Sequence, residues 1–257
     1  MAGESLTLIA VGDVRVNRAE PESAFAGTAD LIRQADIAFC NMEAPYASQG
    51  AMGTAPHGAG PHDPANLAAF SYAGFHVVSL ANNHAMDWGG DALMEARDRV
   101  LEMGIQPVGA GGDGPEARKP GIVERNGTKV AFLAYNCVGP PGTEVQEDRP
   151  GCAAVRIITS YHPCDYQPGT PPEILTFARP EDLKAMVEDI RQAKSVADVV
   201  VATFHWGLHN VRALLAAYQH EVGEAAIDAG ADLVLGHHPH ILKGIEVYKG
   251  KVIVHSL

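Results

Sequence analysis

The stretch Asp228-Ala-Gly-Ala-Asp-Leu-Val-Leu-Gly-His-His-Pro-His240 carries the pattern that organises the whole chain. A helical pattern over Ala213–Ala229 leads into a short strand, Asp232–Leu235, and the strand runs straight into three imidazoles. The run Leu233-Val-Leu235 is apolar throughout rather than alternating, which marks a strand buried on both faces, the habit of parallel sheets covered by helices. Open α/β sheets build their sites beyond the carboxyl ends of such strands. In His238-Pro-His240 the proline fixes the intervening backbone, and in an extended segment residues two apart project to the same side. Two imidazoles on one side just after a buried strand are hard to explain by packing.

The same grammar repeats upstream. Leu6–Val11 is followed by Gly12-Asp13, Asp36–Cys40 by Asn41-Met-Glu43, Phe75–Leu80 by Asn82-Asn83-His84 and Asp87, and Asp198–Phe204 by His205-Trp-Gly207. Helical spacing predicts helices over Asp91–Met103, where Leu93, Ala96, Val100 and Leu101 recur and Gly104 suits a C-cap, and over Pro180–Lys194. Ile105–Val108 is a further strand. Ile122–Arg125 and Lys129–Tyr135 flank Asn126-Gly127, a hairpin signal, and Ile241–Val247 and Lys251–His255 flank a turn at Tyr248–Lys251. Residues 136–178, rich in Pro and Gly, read as a long loop or insertion of the kind that forms lids and binding loops. The expectation is one α/β domain over residues 1–257 with a largely parallel central sheet.

Composition narrows the function. Of 257 residues, 46% are hydrophobic and 19% charged, which excludes a disordered chain. The net charge of −12 argues against nucleic acid or anionic membrane as the main partner, since both reward a basic face. No apolar run is long enough to span a membrane, and the first residues lack a basic segment and a signal core. A soluble, cytoplasmic protein is expected, with a trimmed export signal as the alternative. Cys40, Cys137, Cys152 and Cys164 have no Cys-x-x-Cys spacing and read as free thiols. There are 12 histidines, and seven of them (His205, His209, His220, His237, His238, His240 and His255) fall in the last 53 residues.

Carboxylate, amide oxygen and imidazole together suit borderline divalent metals such as zinc, manganese or iron, with a carboxylate able to bridge two ions. Each piece alone has a bland reading. Asp13 serves as a helix N-cap or turn residue, Asn41 and Glu43 as turn and surface residues, Asn82-Asn83 as a turn, and His205 as a packed core histidine. His238-Pro-His240 differs in favouring a metal by itself, and the assembled set favours one more strongly. Surface placement is the default for His57 and His62, although both lie in a loop that could touch substrate. His76 reads as a core residue, His162 and His220 as exposed, and His237 as a support for its neighbours.

The order Gly-Asp, Asn-x-Glu, Asn-Asn-His-x-x-Asp, His-Trp-Gly and His-Pro-His resembles the CapA-type proteins of poly-γ-glutamate capsule synthesis, within the calcineurin-like metallophosphoesterase superfamily. The likeness extends through Ala73–His84, Val108-Gly-Ala-Gly111 and Asp228–His240, and so covers nearly the whole chain. It implies a four-layer α-β-β-α sandwich of mixed sheets flanked by helices, holding one or two divalent ions. By the same resemblance, Asp13 ligates a first metal, Glu43 bridges, Asn83 and His205 ligate a second, and His238 and His240 close the two sites. His84 takes the place of the histidine that protonates a leaving group, with Asp87 holding it. Three departures stand out. Arg15 replaces the usual histidine in Asp13-Val-Arg15, which weakens the first site and offers a grip for a substrate anion. His209 stands where an acidic residue is common, as an acid–base group or substrate contact. Relatives continue with Gly-Asn-Phe after Ser256-Leu257, so a C-terminally truncated domain is expected.

The function expected is metal-dependent hydrolysis, in which metal-activated water attacks a phosphoester or γ-glutamyl amide of a small-molecule or peptide-like substrate. Arg15, Asn41 and Asn82 are the expected substrate contacts. The alternatives are an accessory subunit in capsule synthesis, or metal-assisted isomerisation next to a carbonyl. The sequence carries no signal for oligomeric state.

Overall fold

The apolar runs fold as strands of two stacked sheets rather than of one central sheet. In this computed structural model, which describes residues 5–51 and 61–257, the first sheet is β1 (Leu8–Val14), β2 (Ile37–Met42), β3 (Val77–Ser79) and β4 (Gln106–Val108), parallel throughout and in that order. His57 lies outside the described residues. The second sheet has six strands. Its parallel centre is β7 (Thr128–Asn136), β11 (Val199–His205), β12 (Leu233–His237) and β14 (Lys251–Val254), and β6 (Gly121–Arg125) and β13 (Ile245–Tyr248) close the edges antiparallel. Both edge hairpins turn through paired left-handed residues, Asn126-Gly127 (φ 51° and 75°) and Lys249-Gly250 (φ 49° and 76°). That is the geometry matching the twist of the flanking strands, and glycine adopts it without steric cost.

Strand β7 shows why its sequence is apolar without alternation. Val130, Phe132 and Ala134 enter the core between the sheets, while Ala131, Leu133 and Tyr135 enter a second core under helices. Phe39 of β2 stacks on Phe132 across the sheets, with centroids 5.7 Å apart and planes 6° from parallel. The second core is closed by Met186 and Ile190 of α5 (Pro180–Val196) and by Val222 and Ala226 of α6 (Ala217–Ala229). Phe70 of α2 (Ala68–Ala73) and Leu93, Ala96 and Val100 of α3 (Gly89–Glu102) pack with the first sheet. Short helices α1 (Ala29–Ile32) and α4 (Gly114–Ala117) complete the set. The layering is the α-β-β-α sandwich that the resemblance implied.

The largest differences from the sequence reading are three. Residues 136–178 are not loop throughout. Within them β8 (Gly151–Cys152) pairs with β5 (Ala110–Gly111), and β9 (Ile157–His162) pairs antiparallel with β10 (Glu173–Ala178). That hairpin leaves Tyr161 and Ile174 exposed, and its connection carries Pro163, Pro168, Pro171 and Pro172, so neither burial alternation nor a tight-turn signal marks it. Helix α6 begins at Ala217 rather than Ala213, because Ala213 is left-handed (φ 53°). Strand β13 begins at Ile245, not Ile241. All four cysteines are free, as expected. Among the described residues no helix is long and apolar enough to cross a membrane.

Candidate metal centre

A bulge sets the first ligand candidate. Between Ala10 and Asp13 strand β1 spends one residue more than β2, so Ala10 opposes Phe39 but Asp13 opposes Asn41. A bulge re-aims the side chain that follows it. Gly12 sits in the bulge because a Cβ there would lie 2.8 Å from the carbonyl oxygen of Leu257. Across the sandwich, His205 follows the parity of Val199 and Val201 and therefore faces the first sheet. Asp13 and Glu43 come from one sheet, His205, His238 and His240 from the other, and they meet at the carboxyl rim of the inter-sheet core.

Two overlapping donor groups result. Asp13, Glu43 and His240 offer ligand atoms within 4.8 Å of one another, as do Glu43, His205 and His238. Glu43 belongs to both. Asp13 Oδ2 is 3.2 Å from His240 Nδ1, and Glu43 Oε1 is 3.6 Å from His240 Nε2 and 3.5 Å from His205 Nε2. Asn83 Oδ1 lies 2.7 Å from His205 Nε2, which adds an amide oxygen to the second group. The expectation that an extended backbone aims His238 and His240 together is corrected here. Both are left-handed, at φ 96° and 53°. The rings converge through a strained turn that costs on the order of 1–3 kcal/mol per residue. The His238 N–H donates to Asp13 Oδ2 at 3.0 Å, which ties that turn to the bulge.

The donor set fits a divalent cation. Glu43 Oε1 and His238 Nδ1 are buried with no hydrogen-bond partner among the described residues. Burial, and next the charge of Asp13, push the Glu43 carboxyl up to about 8. A buried carboxylate beside another carboxylate is stable only when protonated or paired with a cation. Burial and then the neighbouring histidines hold His205 well below the ordinary range, and burial brings His238 down to about 4. These imidazoles are neutral at physiological pH, the state that ligates.

The remaining site residues divide into two sets. Asn41 and Asn82, expected to touch substrate, are fully buried beneath the cluster. Asn41 Nδ2 donates to Asp13 Oδ1 at 2.7 Å, and Asn82 Nδ2 donates to Asn41 Oδ1 at 3.2 Å and to the Met42 carbonyl at 2.9 Å. Their amides are consumed in orienting Asp13 and the loop after β2, and neither reaches solvent. Around the mouth, His84 Nδ1 is 2.8 Å from Asp87 Oδ2, and the His84 N–H donates to Asn82 Oδ1 at 3.1 Å. Exposed His209 has its ring 4.9 Å from that of His240 and 5.5 Å from that of His238.

Sequence reasoning missed His62, which is buried rather than on the surface. Its Nδ1 pairs with the Val16 carbonyl at 3.0 Å, and its Nε2 accepts from Arg15 Nε at 3.2 Å. The signal is tertiary: His62 is bridged to Tyr46 by backbone hydrogen bonds to Pro45 and Ala47. Neighbouring His237 does not support the cluster through a hydrogen bond. It faces the inter-sheet core, its ring 5.7 Å from Phe39.

Comparison with known proteins agrees with this architecture. A family model described as "Bacterial capsule synthesis protein PGA_cap" matches residues 7–257. A Bacillus subtilis "PGA biosynthesis protein CapA" is 32% identical over 189 residues, covering 71% of this chain and 41% of that protein. A "Probable polyglutamine synthesis accessory protein" of Mycobacterium tuberculosis is 30% identical over 200 residues, covering 75% of this chain and 47% of that one. The chain thus spans less than half the length of these two relatives. A hypothetical protein from Thermus thermophilus shares the fold, with a TM-score of 0.54 at 17% identity over 98% of this chain and 75% of that one.

Proposed function

Since the chain belongs to the bacterial capsule synthesis protein PGA_cap family, we propose that it is a metal-dependent hydrolase acting on a phosphoester or a γ-glutamyl amide. The observation that carries this reading is the pair of donor groups sharing Glu43, whose Oε1 is buried with no hydrogen-bond partner among the described residues. Asp13, Glu43 and His240 would hold one cation, and Glu43, Asn83, His205 and His238 a second. A bound zinc, manganese or iron ion would supply Lewis acidity, acidifying water and neutralising charge that develops on a phosphoryl or carbonyl oxygen.

The chain's own groups do the rest. His84, oriented by Asp87 through Nδ1, donates a proton to the leaving group. Arg15, with Nε fixed by His62, keeps two terminal nitrogens for a substrate phosphate or carboxylate. His209 at the mouth contacts the substrate beyond the scissile bond. Asn41 and Asn82 hold Asp13 and the β2 loop in place.

The test is a panel of phosphoesters and γ-glutamyl amides assayed with added manganese or zinc. Turnover of one class, lost on Asp13→Asn, supports the reading. Inactivity on both classes with full metal occupancy overturns it and favours an accessory role. The name of the mycobacterial relative speaks for that second reading. Copurification with a synthase, together with full complementation by His84→Ala, would support it.

A further inference from the structure

A second group of ligating side chains lies apart from the rim cluster and shares no residue with it. His220 on α6, Glu246 on β13 and His255 just after β14 offer ligand atoms within 4.8 Å of one another. His220 Nδ1 is 2.9 Å and His255 Nε2 3.0 Å from the same oxygen, Glu246 Oε2. The two rings stand edge to face, centroids 5.4 Å apart at 65°, so that one nitrogen of each converges on the carboxylate. His255 is buried and His220 is half exposed, which leaves one open side toward water.

We propose that His220, Glu246 and His255 form a second divalent-cation site, taking a borderline ion of the zinc class, that joins helix α6 to the β13–β14 hairpin. Two imidazoles and one carboxylate are the donor set such ions select, with the fourth position left to water. Without a cation both imidazoles hydrogen-bond to the same carboxylate oxygen, which aims one nitrogen of each at the point the three side chains share. A cation inserted between the three side chains replaces two hydrogen bonds with three coordinate bonds.

The same residues set the strength of the site. For His255 Nε2 to ligate, its proton must sit on Nδ1, and Nδ1 is buried with no partner among the described residues. Leaving a buried donor unsatisfied lowers affinity on the order of tenfold to a hundredfold. The site therefore belongs to a weaker class than closed four-ligand structural zinc centres. It still bears on the fold: the His255 carbonyl accepts from Trp206 Nε1 at 3.0 Å, and Trp206 directly follows His205.

The test is a zinc titration of the untagged full chain against a chelating indicator, followed by melting with and without zinc. Wild type, His220→Ala, Glu246→Gln and Asp13→Asn are compared. The expected result is that His220→Ala and Glu246→Gln each lose one zinc equivalent of at least tenfold weaker affinity and lose its share of the zinc-induced rise in Tm. Asp13→Asn retains that equivalent. Equal zinc stoichiometry and equal zinc-induced Tm shifts in wild type and His220→Ala overturn the proposal and leave a hydrogen-bonded His-Glu-His group only. Exposed His220 can be truncated without opening the core, so a folded variant is expected. Glu246→Gln, which keeps the volume of the side chain, gives an independent answer.

Discussion

His84 and Asp87 form a closed pair within the turn that precedes α3: Nδ1 of the imidazole meets Oδ2 of the carboxylate at 2.8 Å, and Asp87 is buried. A buried carboxylate on one ring nitrogen fixes the tautomer and the orientation of the imidazole. His84→Ala is therefore expected to lower turnover by about a hundredfold to ten-thousandfold, with cation content unchanged. Elemental analysis beside steady-state kinetics checks both halves. Loss of cation from the variant would make His84 a ligand and remove its role as acid.

Cation affinity should depend on pH through Glu43. Its folded carboxyl is raised to about 8 from an ordinary 4.5, so below that pH a proton occupies the position a cation needs. Affinity is expected to climb by up to about tenfold per pH unit from about pH 6 to 8 and to level off above. His238, brought down to about 4, is already neutral over this window and adds no slope. Calorimetric titration at stepped pH reads the curve. A flat profile would remove Glu43 from the ligand set.

Asp182 anchors the start of α5 to the segment before β9. Its carboxylate accepts from the Arg156 backbone N–H at 2.9 Å and from Nε and Nη2 of the same residue at 2.7 Å each. Burial alone would raise its pKa, but the Arg156 hydrogen bonds and charge outweigh that and hold it below 3.8. A depressed carboxyl contributes stability above its unfolded value and loses it as pH falls through the folded one. Asp182→Ala should cost about 2 kcal/mol at neutral pH. The gap from wild type should narrow below about pH 4, as urea titrations at both pH values would record.

Gly236 has no room for a side chain. A Cβ there would collide with the His255 backbone and with Trp206 Nε1. Gly236→Ala is expected to destabilise by about 3 kcal/mol or more. Gly244, where an added Cβ meets nothing within 4 Å, should tolerate the same change within about 0.5 kcal/mol. Parallel thermal melts of the two variants separate close packing from a general glycine effect.

What the sequence disclosed was whatever is local. Buried strands announced themselves as unbroken Val, Ile and Leu runs, and Asp13, Glu43, His205 and His238 were legible because each stands just beyond such a run. Division into two sheets was not legible from periodicity, since β7 is apolar on both faces whether its neighbour is a helix or a second sheet. The β9–β10 hairpin stayed hidden because it stands mostly in solvent. His62 and the His220-Glu246-His255 group stayed hidden for another reason. Their partners are brought together by tertiary folding, and no local pattern encodes that contact.

The seam between the two sheets has a mechanical consequence. The carboxylates ride on one sheet and the imidazoles on the other, so sliding one sheet by a single residue repeat, about 3.3 Å, would pull every carboxylate–imidazole pair apart. Occupancy of the centre would thus work as a gauge of assembly. A chain whose halves had docked out of register would present no coordination sphere, and a cation held across the seam would resist shear that the apolar contacts alone would allow.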